Sequence, residues 1–170
     1  MTPTLAGEGV VLRPLELSDA AALFIALGDP DVQLYRRGDA HRSVEETRAY
    51  IEDTRKRSRA AWAITEHGGE ALGRLALREP QPGVGELGIV IRRAAHGRGL
   101  GAKAVRLAEA YALGGLGFTR LTADVDAGNA ASIALFRSCG FAQEAYLAGR
   151  RTTKLGLRDS VILAKSFASR

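Results

Sequence analysis

A glycine-rich loop is the part of this chain whose residue types and spacing most clearly predict chemistry. It reads His96-Gly97-Arg98-Gly99-Leu100-Gly101, and it lies between an apolar segment, Leu87 to Ile91, and an alanine-rich segment with helical spacing. A strand, a glycine loop and a helix in this order place backbone N–H groups and a helix N-terminus around an anion. Glycines allow a close approach because they carry no Cβ. The loop therefore predicts a binding site for a phosphorylated ligand.

Two nucleotide-binding alternatives fit this loop less well. A P-loop requires G-x-x-x-x-G-K-[ST], but counting from Gly97 the chain has Ala102 at the second glycine and Ala104 at the hydroxyl position. The dinucleotide fingerprint G-x-G-x-x-G/A is matched by Gly97, Gly99 and Ala102. Asp124 follows as a candidate ribose ligand. Only one further βα unit comes after the loop, however, which is too little for a doubly wound nucleotide domain.

The elements around the loop predict an α/β protein. Hydrophobic periodicity and turn residues give the order β-α-α-β-β-β-α-β-α-β-β, with Ser18-Asp19, Ser43 and Asn129 as helix N-caps. Ser43 and Glu46 also match a capping box. The expected architecture is a central mixed sheet of about seven strands with helices on both faces. Its early strands are antiparallel, and the strands around the glycine loop are parallel.

The third interpretation of the loop rests on a resemblance that covers essentially the whole chain. Residues 96–101 resemble the R/Q-x-x-G-x-G/A signature of the GNAT acyl-CoA N-acyltransferases. Residues 129–141, from Asn129 through Ser132, Leu135 and Phe136 to Gly140-Phe141, resemble the second motif of that superfamily, N-x-x-S-x-x-L-[YF]-x-x-x-G-F. The two motifs also follow in the family's order. Further segments are similar to the branch of the ribosomal-protein alanine N-acetyltransferases (RimJ/RimL-type): Leu12 to Leu15, Asp19, Asp29-Pro30 and Ser43 to Glu46.

The resemblance implies one GNAT domain over residues 1–170 that uses acetyl-CoA as co-substrate. The N–H groups of Arg98 to Ala102 would hold the pyrophosphate, and the strand Ile89 to Ile91 would pair with the pantetheine arm. The full set of implied CoA-binding residues is Ile89, Val90, Ile91, His96, Gly97, Arg98, Gly99, Leu100, Gly101, Ala102, Asn129 and Phe136. His96 replaces the family's usual Arg or Gln, and the nearby Arg92, Arg93 and Arg98 are expected to supply charge.

Acetyl transfer to an amine also requires proton transfer. An α-amine, with a pKa of about 7.7–8.0, needs less help to lose its proton than a lysine-type amine at about 10.4. Glu86, at the start of the strand that leads to the thioester, is the candidate base. The family often uses a tyrosine as the acid for the leaving thiolate, but here that position is Phe136. Ser132, one helical turn earlier, is then the candidate acid; its alternative role is a hydrogen bond to backbone or CoA.

The composition of the chain argues against nucleic acid, metal ions and membranes as binding partners. The formal net charge is +5, but the basic residues are dispersed and aromatic residues make up only 6%, so nucleic-acid binding is not favoured. One cysteine and three separated histidines predict no metal site. The N-terminus lacks a signal-peptide pattern, which favours a cytoplasmic protein that does not bind membranes.

The resemblance leaves several questions open. The amine acceptor is a protein N-terminal α-amine or a small-molecule amine, and transfer is expected to be direct, within a ternary complex. The resemblance implies a possible homodimer, because family members often form one, although no residue of this chain indicates it. The alternative function is a non-catalytic module of the same fold that binds acyl-CoA as a sensor, which the departures at His96 and Phe136 suggest.

Overall fold

Short alternating segments of the chain assemble into one mixed sheet in a computed structural model that describes residues 1–168. The strands are β1 (Leu5–Gly7), β2 (Val10–Pro14), β3 (Ala60–Glu66), β4 (Gly73–Gln81), β5 (Val84–Ile91), β6 (Arg120–Asp126), β7 (Ala142–Thr153) and β8 (Gly156–Ser166). The α-helices are α1 (Ala20–Leu27), α2 (Val44–Arg57), α3 (Leu100–Gly114) and α4 (Ala130–Ser138). None of the helices in this part of the chain is both long and apolar enough to cross a bilayer.

The sheet has the order β1-β2-β3-β4-β5-β6-β8-β7. Its strand pairs are antiparallel except for β5 and β6, which run parallel. The predicted mixed sheet is confirmed, but the expected number of strands is wrong, because eight strands are present. The missed strand is β1, a three-residue edge strand that turns into β2 through Glu8 and Gly9, both with positive φ. Three residues are too few to show the alternation that reveals a strand.

Alternating side chains of β3 explain why helices cover both faces of the sheet. Trp62 and Ile64 enter the larger core beneath α3 and α4, and the small residues Ala61 and Ala63 face α1 and α2. The indole N–H of Trp62 donates to the carbonyl of Pro3 at 2.7 Å. The sheet therefore separates two hydrophobic cores, and a residue's parity along a central strand decides which one it joins.

The caps of α1 and α2 match the predictions only in part. Ser43 Oγ accepts a hydrogen bond from the Glu46 N–H at 3.1 Å, which confirms the N-cap of α2. The Glu46 carboxylate, however, accepts from the N–H of Arg42 at 2.7 Å. No side chain caps α1, so the predicted cap at Ser18-Asp19 is wrong. The Asp19 carboxylate instead accepts from the Glu16 N–H at 2.9 Å, which closes the 3-10 turn before the helix.

Candidate active site

A fork between β5 and β6 is the main feature of the candidate site. The two parallel strands are paired only from Val84 to Glu86 on β5 and from Arg120 to Thr122 on β6. Beyond these residues β5 continues to Ile91 beside β4, and β6 continues to Asp126 beside β8. The strands therefore diverge, and the space between residues 87–91 and residues 123–126 is called the fork below.

Backbone groups of β5 line one arm of the fork. The Arg92 N–H donates to the Leu72 carbonyl at 2.9 Å, just beyond the end of the β4–β5 ladder. Because hydrogen-bonded and non-bonded pairs alternate in an antiparallel ladder, Ile91 and Ile89 direct their N–H and C=O groups away from β4 and toward the fork. Val90 directs its backbone to β4, and its side chain is buried in the core beneath α1 and α2. An extended ligand could thus pair with Ile89 and Ile91.

The glycine loop connects this arm of the fork to the N-terminus of α3. Gly97 and Gly99 have φ values of 77° and 73°, and a Cβ added at either would meet nothing within 4 Å. The first backbone hydrogen bond of α3 runs from the Lys103 N–H to the Gly99 carbonyl, so the preceding N–H groups have no partner within the helix. A Cβ on Gly101 would lie 3.5 Å from Ile91 Cδ1, which places this helix end against the end of β5.

His96 joins the loop to the strand. Its Nε2 donates to the Ile91 carbonyl at 2.7 Å, so one ring nitrogen is used within the protein. The arginines expected to compensate for His96 each pair with a carboxylate: Arg92 with Glu70 at 3.2 Å, Arg93 with Asp29 at 2.6 Å and Arg98 with Glu66 at 3.0 Å. These ion pairs hold the three guanidiniums against carboxylates, and the backbone N–H groups at the start of α3 remain as donors for an anion.

Glu86 lies at the vertex of the fork, where it pairs with Thr122 before the strands separate. Its side chain is partly exposed, and within residues 1–168 no hydrogen bond or ion pair engages its carboxylate. Alternation along β5 puts Glu86 on the same face as Gly88 and Val90, toward α1 and α2. This position leaves the carboxylate available to accept a proton.

The predicted residues of α4 have different surroundings. The Ser132 N–H donates to Asn129 Oδ1 at 3.2 Å, which confirms Asn129 as the N-cap, and α4 begins a few residues after β6 ends. Ser132 is partly exposed. Phe136 is only 2% exposed and packs edge-on against Phe141, with ring centroids 5.2 Å apart. The structure therefore gives Phe136 a place in the core, and the CoA contact assigned to it stays a prediction.

Sequence reasoning missed a cluster of arginines around Tyr50. The Tyr50 hydroxyl accepts hydrogen bonds from Arg74 Nη2 and, at 3.0 Å, from Arg36 Nη2. The same guanidiniums reach β5, where Arg74 Nη1 donates to the Gly88 carbonyl at 3.1 Å and Arg36 Nη1 to the Ile89 carbonyl at 3.4 Å. One signal was present in the sequence, because Arg74 is the one charged residue in the otherwise apolar segment Ala71 to Leu77.

These positive charges change the acidity of Tyr50. Burial alone would raise the pKa of the phenol, but the charges of Arg74 and Arg36 outweigh that effect and lower the pKa to about 8. Arg74 itself is 6% exposed. The cluster thus places a phenol of unusual acidity beside the β5 arm of the fork.

The other arm of the fork carries its own cluster, centred on Asp124 of β6. Three guanidiniums lie within ion-pair distance of this carboxylate: Arg150 and Arg151 at 3.5 Å and Arg37 at 4.0 Å. Arg151 Nη1 also donates to the Tyr35 carbonyl at 3.2 Å, which holds the loop after α1 against β7. No group of three or more His, Cys, Asp or Glu side chains in the described part of the chain could hold a metal ion.

This combination of a forked parallel pair and a glycine loop at a helix N-terminus agrees with a family match. The model of the acetyltransferase (GNAT) domain matches residues 10–142. The chain belongs to this family. Among curated proteins no match is found.

Three solved structures share the fold over nearly the whole chain. A putative acetyltransferase from T. thermophilus is 27% identical, with a TM-score of 0.84 over 98% of this chain and 90% of that one. Spermidine N-acetyltransferase from Vibrio cholerae, in complex with CoA and spermine, is 17% identical, with a TM-score of 0.82 over 96% and 98%. Mycobacterium smegmatis RimJ, in complex with CoA-disulfide, is 20% identical, with a TM-score of 0.84 over 96% and 86%. The last two show the similarity of the fold alone.

Proposed function

We propose that this protein transfers an acetyl group from acetyl-CoA to a primary amine. The observation that carries the proposal is the open fork, whose β5 arm ends at a glycine loop with unpaired N–H groups at the start of α3. An extended arm with a terminal pyrophosphate fits this arrangement, because a strand edge and a helix N-terminus follow one another along the chain. Family membership supports the same activity.

Binding is assigned to backbone groups. The N–H groups of Arg98 to Ala102 hold the pyrophosphate, and the partial positive charge at the N-terminus of α3 stabilises it. The N–H groups of Ile89 and Ile91 pair with the pantetheine arm along the strand edge, since the carbonyls of these two residues already accept hydrogen bonds from Arg36 and His96. The space beside Gly97 and Gly99, which a Cβ would enter without contact, leaves room for the ligand.

The transfer itself needs one base, one acid and an oxyanion donor. The thioester supplies the activated acetyl group: the amine nitrogen bonds to its carbonyl carbon, and the C–S bond breaks. Glu86 accepts the proton of the amine, directly or through one water. A backbone N–H of β5 in the fork donates to the carbonyl oxygen as negative charge develops there. Ser132, which is partly exposed, passes a proton from solvent water to the leaving thiolate, so that its own hydroxyl is restored as the thiol forms.

Direct transfer agrees with the surroundings of the cysteine. Cys139 is 5% exposed, and its thiol lies 3.7 Å from the Ala102 carbonyl in the core. A buried thiol beside a carbonyl oxygen is not an activated nucleophile. We therefore assign direct transfer within a ternary complex of protein, acetyl-CoA and amine, without an acyl-cysteine intermediate.

The pKa of the amine bears on which class of acceptor the protein can use. An α-amine is mostly or partly neutral near pH 8, since its pKa is about 7.7–8.0, and one carboxylate such as Glu86 suffices as base. A protein N-terminus of the kind that the ribosomal-protein branch acetylates, or a small-molecule α-amine, meets this condition. We assign the reaction to one domain of a cytoplasmic protein.

Two measurements test the proposal. Thermal melting with acetyl-CoA, CoA, NAD⁺ and ATP side by side should show a rise in Tm for the two CoA species, because ligands of the native state stabilise it. Thiol release should then depend on an added amine. A rise in Tm without thiol release for any amine would favour the sensor alternative, and no rise with either CoA species would refute the binding assignment.

A further inference from the structure

The loop between α1 and α2 crosses the fork with two consecutive arginines. Arg36 Nη1 donates to the Ile89 carbonyl on the β5 arm at 3.4 Å. Arg37 lies 4.0 Å from Asp124 on the β6 arm and forms a β-bridge with Thr153 at the end of β7. This loop therefore brings positive charge to both arms of the fork.

The charges around the fork do not balance. Within residues 1–168, six guanidiniums contact the fork or its arms: Arg36, Arg37, Arg74, Arg150, Arg151 and Arg158. Three carboxylates lie there: Glu86 at the vertex, Asp124, which three of these arginines share, and Asp126, which pairs with Arg158. The phenol of Tyr50, with its pKa of about 8, is mostly neutral at pH 7 and does not compensate. An excess of positive charge is thus held at the fork, where Arg74 and Arg151 are largely buried and Arg37 and Arg150 are exposed.

Several donors in this region also lack acceptors. The Nε atoms of Arg36, Arg74 and Arg151 are buried and have no hydrogen-bond partner in the described part of the chain. Leaving a buried donor unpaired costs about 1–3 kcal/mol, and more when the group is charged. Asp124 Oδ1 is a buried acceptor that also lacks a partner there, so the three donors outnumber it, and a further acceptor oxygen from a ligand or water would reduce the imbalance.

We propose that the amine substrate carries a carboxylate a few atoms from its amine, and that Arg36 and Arg151 bind this carboxylate. The inference rests on the proposed acetyltransferase function and specifies its substrate class. Guanidiniums suit the task because their planar arrangement of donors matches the two oxygens of a carboxylate. The same positive field lowers the pKa of the acceptor's ammonium group, so more of the amine is neutral and reactive.

This charge distribution disfavours a polyamine acceptor. A second ammonium near the reacting amine would add to the excess of positive charge, whereas a carboxylate neutralises part of it. Two sources supply the required chemistry: a free amino acid, or a protein N-terminus with an acidic residue directly after the first. Both place a carboxylate within a few bonds of the amine.

Matched acceptors test the proposal at saturating acetyl-CoA. We compare thiol release with the amides of the dipeptides Ala-Glu and Ala-Gln, with alanine and alaninamide, and with spermidine. The acidic dipeptide amide should exceed its neutral partner in kcat/KM by at least about tenfold, which corresponds to about 1.4 kcal/mol for a charge-assisted contact. If free alanine has a higher kcat/KM than alaninamide, the carboxylate comes from a free amino acid.

Variants assign the preference to the arginines. Arg36→Gln should lower the acidic-to-neutral ratio toward one, mainly by raising KM for the acidic acceptor, and Arg36→Lys should retain part of the ratio. Arg55→Gln is the matched control, because Arg55 is exposed on α2. It should leave the ratio unchanged.

Calorimetry gives a readout that does not depend on turnover. Acetylated Ala-Glu amide should bind the wild-type protein in the presence of CoA more tightly than acetylated Ala-Gln amide, and Arg36→Gln should remove the difference. Equal kcat/KM for the acidic and neutral acceptors, or a preference for spermidine, would overturn this inference and leave the acetyltransferase function intact. No acetylation of any amine would refute the proposed function, and equal binding of the two products would then refute the carboxylate site as well.

Discussion

At the scale of single residues, the two groups to which we assign proton transfer lie on different elements of the fold. Glu86 lies at the vertex of the fork with a free carboxylate, and Ser132 lies in the first turn of α4 behind its Asn129 cap. The helix start was predictable because Asn129 acts on its own helix turn, which is local in sequence. The distance between Glu86 and Ser132 depends on the whole sheet, and the joint role of these two residues stays a prediction.

Replacing Ser132 tests the assignment of the acid. Ser132→Ala should lower kcat by about 100-fold and leave the Kd for CoA unchanged, because general acid catalysis contributes at least about that factor. Ser138→Ala is the control, since Ser138 is exposed on the same helix and its hydroxyl donates to the Leu135 carbonyl at 2.6 Å. Steady-state kinetics and calorimetry give the two quantities. An unchanged kcat in Ser132→Ala would remove any chemical role for this residue.

Tyr50 permits a test of the arginine cluster through stability. Its pKa is lowered to about 8 in the folded protein, against about 10 in the unfolded chain. The phenolate therefore stabilises the fold fully above pH about 10, and this contribution is lost as the pH falls through about 8. The free energy of unfolding of the wild type minus that of Tyr50→Phe should rise by about 2 kcal/mol between these pH values.

A second tyrosine serves as the control for this titration. The hydrogen bond from the Tyr146 hydroxyl to Asp159 raises the pKa of Tyr146 above its usual value. The corresponding difference for Tyr146→Phe should therefore show no rise over the same pH range. Denaturant unfolding at each pH measures both differences. A flat profile for Tyr50→Phe would mean that the guanidiniums of Arg36 and Arg74 do not stabilise the phenolate.

At the scale of elements, local patterns were predictable and long-range clusters were not. The glycine loop, the helix after it and the Ser43 cap follow from residues that are neighbours in the chain. The arginine cluster joins Arg36, Tyr50 and Arg74 from a loop, a helix and a strand, and only the folded sheet brings them together. The divergence of β5 from β6 also depends on pairing with β4 and β8, which strand propensity does not reveal.

The glycine loop can be tested with two glycines of similar conformation. Gly99 and Gly117 have φ values of 73° and 69°, and neither has an atom within 4 Å of an added Cβ. Glutamate at either position should cost about 1–2 kcal/mol of stability through backbone strain. Only Gly99→Glu adds a negative charge at the anion site, so it should weaken CoA binding at least about tenfold, and Gly117→Glu should not. Equal Kd values for the two variants, measured by calorimetry, would refute the loop assignment.

At the scale of the whole molecule, the charge distribution suggests a dependence on salt. The chain carries a formal net charge of +5, and the excess of guanidiniums at the fork adds to the attraction of an anionic acceptor. Rising ionic strength shortens the Debye length from about 10 Å at 0.1 M to about 3 Å at 1 M. At saturating acetyl-CoA, kcat/KM for an acidic acceptor should fall several-fold over this range, and kcat/KM for its neutral partner should stay constant. Parallel salt curves would show that the field does not guide the acceptor.

Detection of the acetylated amine together with the released thiol tests the central claim, acetyl transfer at the fork, most directly. We predict equal amounts of CoA thiol and acetylated amine for the wild type and for Gly117→Glu, and at least about tenfold slower formation of both products in Gly99→Glu at limiting acetyl-CoA. Acetylation that continues unchanged in Gly99→Glu, or thiol release without an acetylated amine, would contradict it.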